Sequence, residues 1–398
     1  MPSAAGSRSA AFSMLTSCGQ APLQNPDWRR TTGGTSDTRA MPASARPQES
    51  TYLSESSPPR AASLNLVDTE DYLERIHLGK QVASEPPSYD LLSKLSVAHH
   101  LAVPFDTSAL HVPLEAWAER DGRQLGVKEG PGVELGKANF DRIVKRRHGG
   151  FCYSQNPLFA SLLRGFGFRV SEVPARVFMN RGKDPKEAGY AWSCNTHVAL
   201  IVDWTDSNGR YLVDVGFGGG GPPYPIPLKD GETAASLSKS ESFLLREEQM
   251  PVDKAHPIMH DPPAGWTLYR RIVPAGAIIE HHSDADSVPD SYWTPCIHFS
   301  LSTMTPEDTM MGNHFNCTHD RAGFTGVFVV SRLLKNGGRQ TLCRGIPAID
   351  EGAPEDGSAY AKLYSKDSIK GEEYGIEWIP YDVKAIGEVL VDKFGFTL

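Results

Sequence analysis

The chain has 398 residues, 39% hydrophobic and 22% charged, with a formal net charge of −8, which is ordinary for a globular protein with enough core for roughly two or three domains. The negative balance and the lack of a basic stripe argue against nucleic acid as the main partner. No apolar run of about 18 residues is available to cross a membrane. The first residues lack the compact apolar core of a secretion signal. Cysteines at 18, 152, 194, 296, 317 and 343 form neither a close-spaced framework nor a Cys-x-x-Cys pair, so free thiols in a reducing cytoplasm are expected. Sparse acids and scattered arginines near the start leave a minor mitochondrial-targeting reading.

Taken in chain order, residues 1–62 are rich in Ser, Ala, Pro, Thr, Gly and Arg. Too few large apolar residues are present to offset ordering entropy, so a disordered tail is expected. A first helix is predicted over Leu66 to Ile76, with Asp68 or Thr69 as N-cap and Tyr72, Leu73 and Ile76 on one face. A second runs from Tyr89 to Leu101 and a third from about Asn139 to Arg147. A fourth starts at Cys152 and carries Leu158, Leu162, Leu163 and Phe166. Residues 63–168 thus read as a helical domain.

Beyond Phe168 the pattern changes to short β-branched and aromatic runs: Arg169–Val173, Ala175–Met179, His197–Val202, Tyr211–Val215 and Trp266–Ile272. Turn residues punctuate them, which predicts an antiparallel sheet or barrel over 169–285. Residues 229–262, polar apart from Phe243-Leu244-Leu245, read as an insertion. Residues 286–398 carry strands at Ile297–Leu301, Gly326–Leu333 and Tyr374–Ile379, a second polar excursion at 350–374, and a helix near Val383–Lys393.

Cys152 follows Gly149-Gly150-Phe151 at the start of a predicted helix. There the helix dipole and unpaired backbone N–H groups favour thiolate over thiol. A thiolate nucleophile needs a base, and the base needs a group to hold its tautomer. His197 and Asp214, each inside a strand-like run, suit those roles. Each residue also has a bland reading: a packed cysteine, a satisfied core histidine, an aspartate bonding a local turn. If residues 197 and 214 pair directly, 199 faces 212 and 202 faces 209, and both groups share one face of a hairpin. A two-residue turn at Asn208-Gly209 would instead place His197 opposite Gly220, out of reach of Asp214. The sequence leaves both registers open.

Other chemistry is weaker. His281-His282 and His298 are competing histidines. Cys317 with His314 and His319 lacks a second half with metal-ligand spacing, so no metal is expected. Gly216 to Pro223 has neither the lysine nor the helix of a nucleotide loop; Gly218, Gly219, Gly220 and Gly221 would allow close approach of a bulky ligand, or simply form a surface turn.

Together these motifs resemble the arylamine N-acetyltransferases, in order over roughly residues 68–398, as a fungal-type member with an N-terminal extension. His100 to Asp106 resembles the family's His-x-x-x-Val-Pro-Phe-Glu segment. Gly149-Gly150-Phe151-Cys152 is similar to its nucleophile motif, Thr196-His197 to its histidine motif, and Asp214 to Gly218 to its aspartate motif. Ser300 to Cys317, with Pro306-Glu307-Asp308 and Asn313, resembles a later segment more loosely. The resemblance implies an α+β fold of helical bundle, β-barrel and α/β lid with a cysteine-protease-like core. It implies Cys152, His197 and Asp214 as the catalytic set, with Phe105 and Phe217 lining the acceptor pocket and Gly218 to Gly221 near the donor. Acetyl-CoA or malonyl-CoA as donor and a small aromatic amine or hydrazine as acceptor follow, with neither nucleic acid nor membrane as partner, in a detoxifying role. The chain departs from the pattern at His148, where the family usually has arginine, and at Asp106, where it has glutamate; if these positions pair, the contact becomes weaker and pH-sensitive. A cysteine hydrolase or transglutaminase-like enzyme, and a non-catalytic binding protein of the same fold, are the alternatives.

Overall fold

In the computed structural model, the described residues are 63–111, 133, 135–253, 261–274, 276–277, 279, 288–319, 321–346, 350–354, 356–368 and 372–397. The expected tail at 1–62 and the pair His281-His282 lie outside them. Three helices build the first layer: α1 (Leu66–Arg75), α2 (Tyr89–Ala102) and, after a short α3 (Gly136–Phe140), α4 (Cys152–Gly165). The α1 cap is Asn65, whose side chain accepts from Asp68 N, and not Asp68 or Thr69. Its oxygen satisfies one of the helix's orphan N–H groups. Ser88 caps α2 in the same way. Tyr72, Leu73, Leu91, Leu92, Leu95, Phe159, Leu162 and Leu163 pack into one core.

Several polar groups buried in this layer are paired. Tyr72 OH lies 2.7 Å from His99 Nδ1, and His99 Nε2 lies 2.8 Å from Gln155 Oε1. Buried Arg75 donates to the carbonyls of Ile143, Ala102, Arg147 and His148. Fully buried Arg142, on a π-helical turn (Asp141–Lys145), donates to Gly149 O at 2.8 Å and to Asn139 Oδ1 at 2.8 Å. These two arginines tie down the loop that delivers Cys152.

All pairings in the two sheets are antiparallel. A five-stranded sheet starts with β1 (Phe105–Asp106). An eight-stranded, nearly closed, barrel-like sheet contains β2 (Arg169–Val177), β3 (His197–Asp203), β4 (Tyr211–Val213), β5 (Ile226–Pro227), β6 (Thr233–Ala235), β7 (Ser242–Gln249), β8 (Ala264–Ile272) and β9 (Tyr292–Phe299). Its order is β5-β4-β3-β2-β9-β8-β7-β6. The two runs expected either side of Pro174 are one strand, with Pro174 just before the β2–β9 pairing begins at Ala175. β9 begins beyond residue 285 yet is central to the barrel-like sheet.

The other sheet is completed by β10 (Val329–Leu333), β11 (Arg339–Arg344), β12 (Tyr360–Lys366) and β13 (Glu373–Pro380) in the order β1-β10-β11-β12-β13. Beyond the four-residue α5 (Pro185–Ala188) lie α6 (Pro306–Thr318), capped by Thr305, and α7 (Val383–Phe394). Ile386, Leu390 and Phe394 of α7 pack on Val330, Leu342 and Leu363 of the sheet. Among the described residues no helix is long and apolar enough to span a membrane.

The described residues of both expected insertions contribute strands to the sheets. In 229–262, Phe243 and Leu245 of β7 are buried in the barrel core, Leu244 between them is half-buried, and Arg246 and Glu247 are exposed. In 350–374, β12 is paired on both edges. Its Lys362 hid it, because a buried lysine looks like a surface residue until its partners are seen; Glu373 lies 2.6 Å and Asp350 3.4 Å away.

Candidate active site

Cys152 is the first residue of α4 and is 1% exposed. The turn before it is fixed by reciprocal bonds, Phe151 N to Ser154 Oγ at 3.0 Å and Ser154 Oγ to Phe151 O at 2.9 Å. Gly150 N donates to Pro104 O, and Asp106 N to Gly150 O, so the loop is stitched to β1 and the five-stranded sheet. Gly149 is required there, since a Cβ would meet Pro104 O at 2.3 Å.

His197 opens β3 and Asp214 follows β4. His197 Nε2 and Asp214 Oδ2 are 2.6 Å apart, both buried, and Cys152 is close enough to act electrostatically on the imidazole. Burial alone would push the His197 pKa down; the charges of Asp214 and Cys152 reverse this and hold it well above its ordinary value. The Cys152 thiol lies 3.7 Å from Thr196 O, a carbonyl that also accepts from Asn316 of α6 at 3.2 Å. The three side chains suggested by the sequence therefore meet.

The hairpin register is neither direct 197–214 pairing nor the one set by a two-residue turn at Asn208-Gly209. Leu200 pairs with Val213, Ile201 with Leu212 and Val202 with Tyr211, two residues away from direct 197–214 pairing. A two-residue slip keeps every side chain on its face, so His197 and Asp214 still meet, as diagonal neighbours. Asn208-Gly209 lies inside a longer loop, Trp204 to Arg210, and does not set the turn.

Asn156 was missed by sequence reading. One turn beyond Cys152 on α4, it donates to Asp214 Oδ1 at 2.9 Å and Val198 O at 2.7 Å, and accepts from Val215 N at 2.9 Å. The signal was its i+4 spacing from the cysteine, which puts both on one helix face. His148 does not serve as the expected partner of Asp106. Its ring stacks on Phe396, centroids 4.7 Å apart, with Nε2 2.8 Å from Thr397 O, while Asp106 Oδ1 accepts from Ser108 N at 2.7 Å.

A pocket adjoins this set, between the barrel-like sheet and the five-stranded sheet. Phe105, Phe217, Gly218, Gly219 and Gly220 line it; Gly221 does not, and its N–H closes a turn onto Gly218 O. The Phe217 ring meets His197 edge-on at 5.4 Å. Gly218 has φ +86° and packs under Phe105, where a Cβ would lie 2.9 Å from the ring. A second thiol in the pocket, Cys296, is pushed up to about 12 by burial and is a poor nucleophile. Among the described residues no group of three or more His, Cys, Asp or Glu could hold a metal ion.

A helix-borne cysteine beside a buried His–Asp pair, on a bundle with a barrel-like sheet and a second sheet, is the arrangement of a thiol-nucleophile enzyme. The N-acetyltransferase family model matches residues 88–348. The N-malonyltransferase FDB2 of Fusarium pseudograminearum is 26% identical over 301 residues, 72% of this chain and 78% of that protein. The arylamine N-acetyltransferase / N-hydroxyarylamine O-acetyltransferase of Salmonella typhimurium is 24% identical over 256 residues, 64% and 70% of the two chains. The structure of Mycobacterium marinum arylamine N-acetyltransferase in complex with CoA superposes with a TM-score of 0.54 at 24% identity, covering 84% of this chain and 93% of that one. The chain belongs to the arylamine N-acetyltransferase family and is an acyltransferase.

Proposed function

We propose that this enzyme transfers an acetyl or malonyl group from CoA to aromatic amines or hydrazines, through Cys152, His197 and Asp214, in the cytoplasm and in the service of detoxification. The observation that carries this reading is the convergence of the three side chains from α4, β3 and the end of β4, with the imidazole bonded to Asp214 and within electrostatic reach of Cys152. In the first step His197 takes the Cys152 proton and Sγ attacks the thioester carbonyl carbon. An S–C bond to Cys152 forms, the C–S bond to CoA breaks, and CoA leaves with the proton that His197 held. In the second step the amine nitrogen attacks the acyl-cysteine. A C–N bond forms, the S–C bond breaks, and the amine proton returns through His197, leaving the site as it began. Asp214 holds the imidazole orientation, and Asn156 holds Asp214.

Brief mixing with acetyl-CoA or malonyl-CoA without amine, followed by intact-protein mass spectrometry, tests this. One added acyl group is expected, absent in Cys152→Ser and discharged by an aromatic amine. Well-folded protein with no adduct from either thioester would favour a binding role and overturn the reading.

A further inference from the structure

The pocket beside the triad is unusual in its charge. Among the described residues its lining contains Arg181, Arg270, Arg339 and Lys366 and no carboxylate. Glu241, behind the lining, bridges Arg270 at 2.9 Å and Arg339 at 3.1 Å. Arg181 is placed differently. Its guanidinium lies over the Phe217 ring at 5.2 Å, and Phe217 in turn meets the His197 ring, so this cation stands at the end of the pocket nearest the reacting groups. It has no carboxylate partner among the described residues. Burial lowers its pKa, and proximity to Cys296 and Cys152 acts in the opposite sense.

A second observation points the same way. Thr294 is 2% exposed, lines this pocket, and its hydroxyl has no hydrogen-bond partner among the described residues. The strand around it is irregular. Leu268 pairs with Ile297 but Tyr269 with Pro295, so Cys296 is an extra residue. Three consecutive residues, Thr294, Pro295 and Cys296, consequently face one pocket, which a regular strand with alternating faces does not allow. A buried hydroxyl without a partner costs free energy unless a ligand satisfies it.

Building on acyl transfer through Cys152, we infer that Arg181 and Thr294 form a carboxylate-binding subsite, so that the enzyme prefers a donor whose short acyl group ends in a second carboxylate over a neutral acyl group. The guanidinium offers paired N–H donors suited to a carboxylate, and the Thr294 hydroxyl offers another. The carboxylate is a spectator in the transfer: no bond to it changes, and it only fixes where the thioester carbonyl sits relative to Sγ. Malonyl-CoA has this form and acetyl-CoA does not.

The test compares kcat/KM for enzyme acylation by malonyl-CoA, its terminal methyl ester and acetyl-CoA. The ester keeps the thioester and removes only the charge. The wild-type enzyme is expected to favour malonyl-CoA over the ester by tenfold or more. Arg181→Met should remove most of that ratio, Arg181→Lys should keep part of it, and Thr294→Val should reduce it severalfold. Equal use of malonyl-CoA and its ester by the wild type overturns the subsite, whether or not the variants fold. A preference that survives in folded Arg181→Met overturns it as well. Absence of any acyl-enzyme with all three donors overturns the acyl-transfer reading, and this inference with it.

Discussion

Gly216 lies against the nucleophile so closely that a Cβ at this position would sit 2.6 Å from Cys152 Cα. The obstructing atom is backbone, at the start of a buried helix, and cannot swing aside. Gly216→Ala must therefore push apart the loop that carries Asp214 and the loop that carries Cys152. Overpacking of this kind costs about 1–3 kcal/mol. The expected result is a melting temperature lower by several degrees and kcat/KM reduced by tenfold or more. An alanine variant with unchanged stability and turnover would show that the two loops have slack between them.

Asn156 makes a different prediction because it acts through Asp214. Asn156→Ala leaves the Val215 N–H and the Val198 carbonyl without this partner and frees one edge of the aspartate. Each unsatisfied buried group costs about 1–3 kcal/mol. Loss of orientation should appear in kcat, by roughly 10- to 100-fold, with KM for the acyl donor little changed. Asn156→Asp should be worse than alanine, since it sets a second carboxylate beside Asp214. A variant whose defect lies wholly in KM would contradict a positioning role.

The contrast between Cys152 and Asn156 explains how much could be read beforehand. Cys152, His197 and Asp214 announce themselves by local context: a Gly-Gly turn before a helical pattern, and titratable residues inside apolar runs. The hairpin register did not, because Asn208-Gly209 looks like a tight turn and sits instead in a seven-residue loop. The site survives that error only because the slip is an even number of residues. Asn156, Arg75 and Arg142 look like ordinary helix residues, and their role depends on carbonyls remote in sequence. β12 was hidden for the same reason, since the carboxylates that make Lys362 buriable come from elsewhere in the chain.

His148 predicts an acid-side weakness, though not through Asp106. Burial, first, and the neighbouring arginines hold its pKa down at about 4, against the opposing bond to Thr397 O. A histidine kept neutral in the folded state binds its proton more readily when unfolded. Its effect on stability is therefore absent above about pH 6.5, grows as pH falls, and levels off below about 4. The loss is at most roughly 3–4 kcal/mol by that shift. His148→Phe would keep the stack on Phe396 and lose the titration. Chemical denaturation between pH 7 and 4 should show wild type losing more stability than the variant; parallel curves would place the acid sensitivity elsewhere.

Glu241 carries the opposite sign. Burial alone would raise its pKa, but Arg339 and Arg270, with a hydrogen bond from Ser236, overcome that and depress it. A carboxylate with a depressed pKa contributes stability above its unfolded value of 4.5, and the contribution is lost as pH falls through the folded value. Glu241→Gln removes the charge that lies between two guanidinium groups, 12% and 15% exposed. Breaking a buried ion pair from one side costs about 3–5 kcal/mol. The variant should therefore melt well below wild type at neutral pH and approach it in acid. It should also loosen the Arg270 and Arg339 side of the pocket, raising KM for both malonyl-CoA and acetyl-CoA, whereas Arg181→Met should act on the ratio between them. A Glu241→Gln variant that changed the malonyl-to-acetyl ratio as strongly as Arg181→Met would mean that carboxylate recognition is spread over the whole cationic wall and is not focused at Arg181.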